Sequence, residues 1–87
     1  MKSFTVIWRE DAEAELTRLW LENPQVRNDI TAAADSIDHW LAIAPTTLGE
    51  PSSPTKRQYV QPPLKILFDY SEQDQWARVI YVKFWMD

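Results

Sequence analysis

The sequence has no cysteine, one glycine and one histidine among its 87 residues. Without cysteine no disulfide can supplement the core, and neither a thiolate nucleophile nor a cysteine zinc site can form. The single glycine, Gly49, excludes the glycine-rich loops that cradle phosphates. The one histidine, His39, falls two residues after Ile37 on a helical stretch, off its apolar stripe, and reads as a surface residue. No stretch approaches the roughly 18 apolar residues of a membrane span. The opening MKSFTVIWREDAE carries one Lys and five uncharged residues after Ser3 before charge resumes, too short a run for a signal peptide. The expectation is a cytoplasmic protein without membrane contact.

What remains suits one small domain, residues 1–87, that buries about 60–65% of its unfolded surface and has a thin stability margin. Five Trp, three Tyr and three Phe are the means of filling its core, and Trp8, Trp20 and Trp40 are expected to serve there. The net charge is −4 at pH 7. Residues 1–50 carry four basic and nine acidic side chains (−5), and residues 51–87 carry five and four (+1). The total argues against nucleic-acid binding by bulk electrostatics, but the field is polarised between the halves. The acidic half is either a solvated helical surface or a functional asymmetry.

Phe4 to Trp8 alternates as a first strand, with Phe4, Val6 and Trp8 on one face and Thr5 and Ile7 on the other. Ala12, Leu16, Leu19 and Trp20 then recur at helical spacing, predicting a helix from Asp11 to Glu22. Asn23-Pro24 reads as the N-cap and first position of a second helix, whose stripe is Val26, Ile30, Ala33, Ile37, Trp40 or Leu41, and Ala44. Helices so closely joined form a hairpin. PTTLGEPSSPTK, residues 45–56, is a loop, either functional or a spanning connection. Three strands follow over 57–61, 64–70 and 76–85, with a polar turn at 71–75. The order β-α-α-β-β-β predicts an α+β fold, a helical hairpin on one face of a mostly antiparallel four-stranded sheet. With one reversal per element, the first strand runs antiparallel to the outer strands of the meander.

Period two in each strand assigns the other face of that sheet. With Val60, Ile66, Phe68, Ile80, Val82 and Phe84 toward the helices, the open face shows Arg57, Tyr59, Gln61, Lys65, Leu67, Asp69, Val79, Tyr81, Lys83 and Trp85. Cations, rings and an amide on one surface can hold phosphates while bases stack, although any half-exposed sheet carries some Lys and Tyr.

The element order, the ENP opening of the second helix, IDHWLAIAPTTLGEP at its end, and the closing RQYVQPPLKILFDYSEQDQWARVIYVKFW together resemble the RelE/ParE superfamily of type II toxin-antitoxin toxins. The resemblance implies the same fold and a cognate antitoxin as partner. In the RelE branch it implies mRNA cleavage on the ribosome with no metal or cofactor. That reaction needs a base, a cationic stabiliser of the pentavalent phosphate and an acid. Carried over position by position, the catalytic candidates are Arg57, Lys65 and Lys83, with Tyr59, Gln61, Tyr81 and Trp85 contacting nucleic acid or a partner. Lys65 stands where the family usually has Arg, which removes the planar fork. The sequence stops at Asp87, short of the tyrosine-bearing extension of RelE-like nucleases, so the expected site is a depleted one. Three readings stay open: a metal-free endoribonuclease toxin, a ParE-like inhibitor of DNA gyrase without chemistry, and an inactive relative that pairs with a partner or with itself as a homodimer.

Overall fold

The computed structural model describes residues 3–85; Asp87, where the sequence stops, lies outside them. Strand β1 (Thr5–Trp8) leads into helix α1 (Glu10–Glu22), a 3-10 turn (Pro24–Val26) and helix α2 (Arg27–Ile43). Strands β2 (Glu50–Pro51), β3 (Arg57–Gln61), β4 (Leu64–Ser71) and β5 (Trp76–Phe84) complete the chain. The sheet order is β1-β5-β4-β3-β2, with β1 parallel to β5 and every other pair antiparallel. The helices pack on one face, as expected for this α+β class. The fifth strand lies inside the expected loop. Its extra chain reversal changes the parity of the count, which is why β1 meets β5 in parallel rather than antiparallel.

Glu10, Asp11 and Glu13 occupy the first turn of α1, at the positive end of its dipole. Farther along, Arg18 hydrogen-bonds both Glu15 and Glu22, and its bond holds the Glu15 carboxyl below the usual carboxylate range. No basic residue stands in the last turn of α1, and the residues that follow satisfy three of its four free carbonyls. Asn23 Nδ2 donates to Leu19 O (2.8 Å), and Arg27 donates to Trp20 O (2.8 Å) and Leu21 O (3.1 Å). Asn23 therefore caps the end of α1 instead of the start of α2, and Pro24 opens a 3-10 turn, delaying α2 to Arg27.

The core joins Ala12 and Leu19 of α1, Ile30, Ala33, Ile37 and Leu41 of α2, and Leu64, Ile66, Phe68, Ala77, Val79 and Val82 of the sheet. It is aliphatic around one ring, Phe68. The expectation of a tryptophan core is corrected: Trp20 is 38% and Trp40 43% exposed. Trp8 packs at the core margin, and its Nε1 donates to Asp38 Oδ1 (2.7 Å), tying β1 to α2. Trp8 and Trp20 thus keep their N–H groups near polar partners, Trp20 using Thr31, while branched aliphatics fill the dry interior.

Ile80, expected in the core, is displaced by a bulge. Leu67 faces Tyr81 while Phe68 faces Val79, leaving Ile80 unpaired. The extra residue puts Ala77 and Val79 on the core face together with Val82, and turns Trp76 and Arg78 outward. An uninterrupted strand would aim the Arg78 guanidinium at the core, at a high desolvation cost.

Phe68→Ala should lower stability by about 3–5 kcal/mol in urea unfolding. Trp20→Ala should lose only about 1–2 kcal/mol, from partial burial and its stack on Arg27. Equal losses would contradict the exposed position of Trp20. Gly49 has φ +66°, and a Cβ there would lie 2.0 Å from Gln58 O. Gly49→Ala should therefore cost on the order of 1–3 kcal/mol in the same assay.

Candidate functional site

Only Pro62 and Pro63 separate β3 from β4, so Gln61 pairs with Leu64, Tyr59 with Ile66 and Arg57 with Phe68. Directly paired residues share a sheet face. Arg57, Tyr59 and Gln61 therefore lie on the helix side, and Gln58 and Val60 take the open face. This corrects the expected assignment of β3 and separates the three candidate cations. Tyr59 Oη donates to Gln61 Oε1 (2.7 Å), and Tyr59 packs against the core. Arg57 Nε donates to Leu48 O (2.9 Å) and Nη2 to Gly49 O (3.0 Å), so this side chain holds the loop before β2 in place.

Lys65 and Lys83 do come together, as a direct cross-strand pair of β4 and β5. Their ammonium groups lie 4.7 and 5.9 Å from the centroid of the Trp85 ring. Trp85, one residue past β5, is held by its N–H to Pro63 O (2.8 Å). Two shallow concavities of about 190 and 360 Å³ share Gln58 and Lys65 as walls. Tyr81 and Lys83 line the first; Glu50, Val60 and Trp85 line the second. Tyr81 is 53% exposed. Of the seven candidate residues, Lys65, Lys83, Tyr81 and Trp85 share this face.

Glu50 and Gln58 are members of the concavity that the strand pattern missed. Glu50 sits in the segment read as a loop, but Gln58 was within reach, because a two-residue proline turn before the apolar Leu64, Ile66 and Phe68 fixes the register of β3. The other carboxylate of the open face, Asp69, is engaged with Arg78 through Nε–Oδ1 (3.0 Å) and Nη2–Oδ2 (2.6 Å). Its hydrogen bonds push the Arg78 guanidinium above its ordinary value. None of the ion pairs among the described residues includes Lys65 or Lys83. Like charges set directly opposite in a sheet destabilise it, and the Trp85 ring offsets part of that cost by cation–π attraction.

Among the described residues no cluster of His, Asp and Glu could hold a metal ion, and no helix is long and apolar enough to cross a membrane. No family model and no curated protein matches the sequence. Solved structures do match its fold. A chain of the RelBE2 toxin-antitoxin complex from Mycobacterium tuberculosis superposes with a TM-score of 0.79 at 17% identity, covering 100% of this chain and 97% of that one. A chain of the chromosomal ParDE TA system from P. aeruginosa gives 0.77 at 11% identity, covering 95% and 97%. The chain thus has a RelE/ParE-like fold.

Arg57→Ala should destabilise the protein by about 1–2 kcal/mol by freeing two carbonyls. Lys83→Gln should be neutral or stabilising by up to about 0.5 kcal/mol, since it removes the like-charge pair. Added salt should raise the Tm of the parent more than that of Lys83→Gln. A loss of stability in Lys83→Gln would show that the pair supports the fold.

Proposed function

We propose that this protein is the toxin of a type II toxin-antitoxin pair and that it acts on RNA through the open face of its sheet. The observation that carries the reading is the Lys65–Lys83 pair, two cations held side by side at a cost to the sheet and stacked on one exposed ring. The fold shared with chains of two toxin-antitoxin systems supports the toxin-antitoxin part of this reading. In this reading a phosphate of the RNA replaces Trp85 as the partner of the two ammonium groups. Tyr81 and Trp85 then offer their rings to the flanking bases. The ribose 2′-oxygen attacks the adjacent phosphorus, giving up its proton to Glu50, a carboxylate lining the same concavity as Lys65. The bond to the 5′-oxygen breaks as that oxygen takes a proton from a lysine ammonium. Lys65 and Lys83 offset the charge that develops on the phosphorane.

The antitoxin has a separate surface to grip. Leu16, Trp20, Ile30 and Ala34 line a groove of about 280 Å³ between the helices, with Asp35 among its polar lining. The −5 charge of residues 1–50 calls for an antitoxin segment that is apolar toward the groove and basic at its rim.

A second reading, gyrase inhibition without chemistry, is favoured by the commitment of Arg57 to Leu48 and Gly49, which leaves two cations where three were expected. Induced expression separates the two. The expected result is growth arrest with cleaved mRNA, relieved by co-expression of the neighbouring antitoxin gene. Cleavage by the purified protein should fall by about 10²-fold or more in Lys65→Ala and Lys83→Ala, with circular dichroism unchanged, and Lys65→Arg should retain activity. Arrest with inhibited DNA supercoiling and intact mRNA would establish the gyrase reading. A Lys65→Ala/Lys83→Ala protein of full toxicity would remove both lysines from the site.

A further inference from the structure

A further concavity lies around the edge of the sheet from the two on the open face. The cleft has a volume of about 440 Å³ and is lined by the turn that links β2 to β3, by Arg57 and by Tyr70 of β4. The turn is pre-organised: Ser52 N and Ser53 N both donate to Lys56 O (2.9 and 3.2 Å), and Ser53 Oγ accepts from Thr55 N (3.4 Å). Arg57 is anchored by two of its five N–H groups, and the remaining three are uncommitted among the described residues. Neither Lys56 nor Arg57 belongs to an ion pair among the described residues, and no carboxylate lines the cleft. In a chain of net charge −4, two cations beside two hydroxyls and no acid make a local anion site. Tyr70, Pro51 of β2 and Pro54 of the turn add an apolar wall.

From this combination we infer that the cleft binds a nucleotide, its phosphate against Lys56 and Arg57 and its base or ribose against Tyr70. The source of that nucleotide rests on the RNA reading above. Glu50 and Gln58 line the open-face concavity, while their chain neighbours Pro51 and Arg57 line the cleft. The two-residue strand β2 is therefore the rim between the two sites. A single RNA strand crossing that rim places one phosphate on Lys65 and Lys83 and a neighbouring nucleotide in the cleft. The cleft contributes affinity and register, and the open face the chemistry. The charge arrangement also gives the strand a direction of approach, since the acidic helices repel it from the far end.

The test is a backbone amide NMR titration of the full chain with inorganic phosphate, with adenosine monophosphate and with a short single-stranded RNA. It is repeated on Lys56→Gln, a substitution in an exposed turn, with Ser53→Ala as a second variant. Phosphate should move the amides of residues 53 and 55–57, the nucleotide should move these and Tyr70, and Lys56→Gln should weaken both by about tenfold. For RNA, the salt dependence of the affinity should also become shallower by about one phosphate contact in Lys56→Gln. Absence of shifts at 53–57 with phosphate and nucleotide, or an unchanged affinity in both variants, overturns the proposal. RNA shifts confined to Lys65, Lys83 and Trp85 overturn it and leave the open-face reading standing. Shifts confined to 53–57 and Tyr70 sustain the cleft and remove the open face.

Discussion

Gln61 sits opposite Leu64 because only Pro62 and Pro63 lie between them, and every other pairing of β3 with β4 follows from that one. Leu64, Ile66 and Phe68 are fixed toward the helices by burial, so the turn length alone sends Tyr59 and Arg57 to the helix side and Gln58 and Val60 to the other. A turn one residue longer would exchange the two sets. It would carry Arg57 to the lysines, but it would lose the bonds that hold Leu48 and Gly49 and would turn Tyr59 away from the core. The composition of both concavities is therefore set by a geometric constraint outside either of them.

The bulge at Ile80 performs the complementary adjustment in β5. Val79 and Val82 are three apart and both face the core, a spacing that a regular strand cannot provide. One unpaired residue reconciles them and keeps Tyr81 and Lys83 beside Leu67 and Lys65. Below the bulge it brings Arg78 onto the face of Asp69, where the two make a bidentate pair and the guanidinium covers Trp76. One end of the open face is thus neutralised. At the other end Lys65 and Lys83 face each other with no carboxylate of the described residues in ion-pair contact, so among these residues the positive charge is concentrated where the Trp85 ring lies.

The sequence carried the main outline: both helices, the strand segments other than β2, the apolar face of β4, and the upper half of β5 that presents Tyr81 and Lys83, with Trp85 just beyond it. These parts have strong periodicity or sharp punctuation. RQYVQ has neither, since Tyr59 and Val60 are both adequate core residues, and the choice between them fell to the turn that follows. The two-residue PP connection was legible and would have corrected it. The spacing of Ala77, Val79, Val82 and Phe84 likewise contained the bulge. Strand β2 was not legible, because Glu50-Pro51 pairs through its backbone, beside a glycine whose positive φ places it against Gln58. The tryptophans were misplaced for a different reason: large area favours burial, but each indole has an N–H to satisfy, and the aliphatic residues already fill the interior.

Fold alone does not assign an activity, and the RelE/ParE-like architecture leaves the character of the sheet surface to its side chains. A chain of net charge −4 can still carry a positive surface if its charges are separated in space. The acids of residues 1–50 lie mainly on the helices, across the sheet from Lys65 and Lys83. Between them stands a dry core of Ile, Leu, Val and Phe, while the surrounding solvent screens exposed charges beyond about 8 Å at physiological salt. The acidic helices therefore do not cancel the field above the open face, yet they give the molecule a dipole. That dipole favours anions at the lysine end and cations at the acidic end. Sign separation across a thin core lets one small chain present two surfaces of opposite preference, and neither could be read from the total of −4.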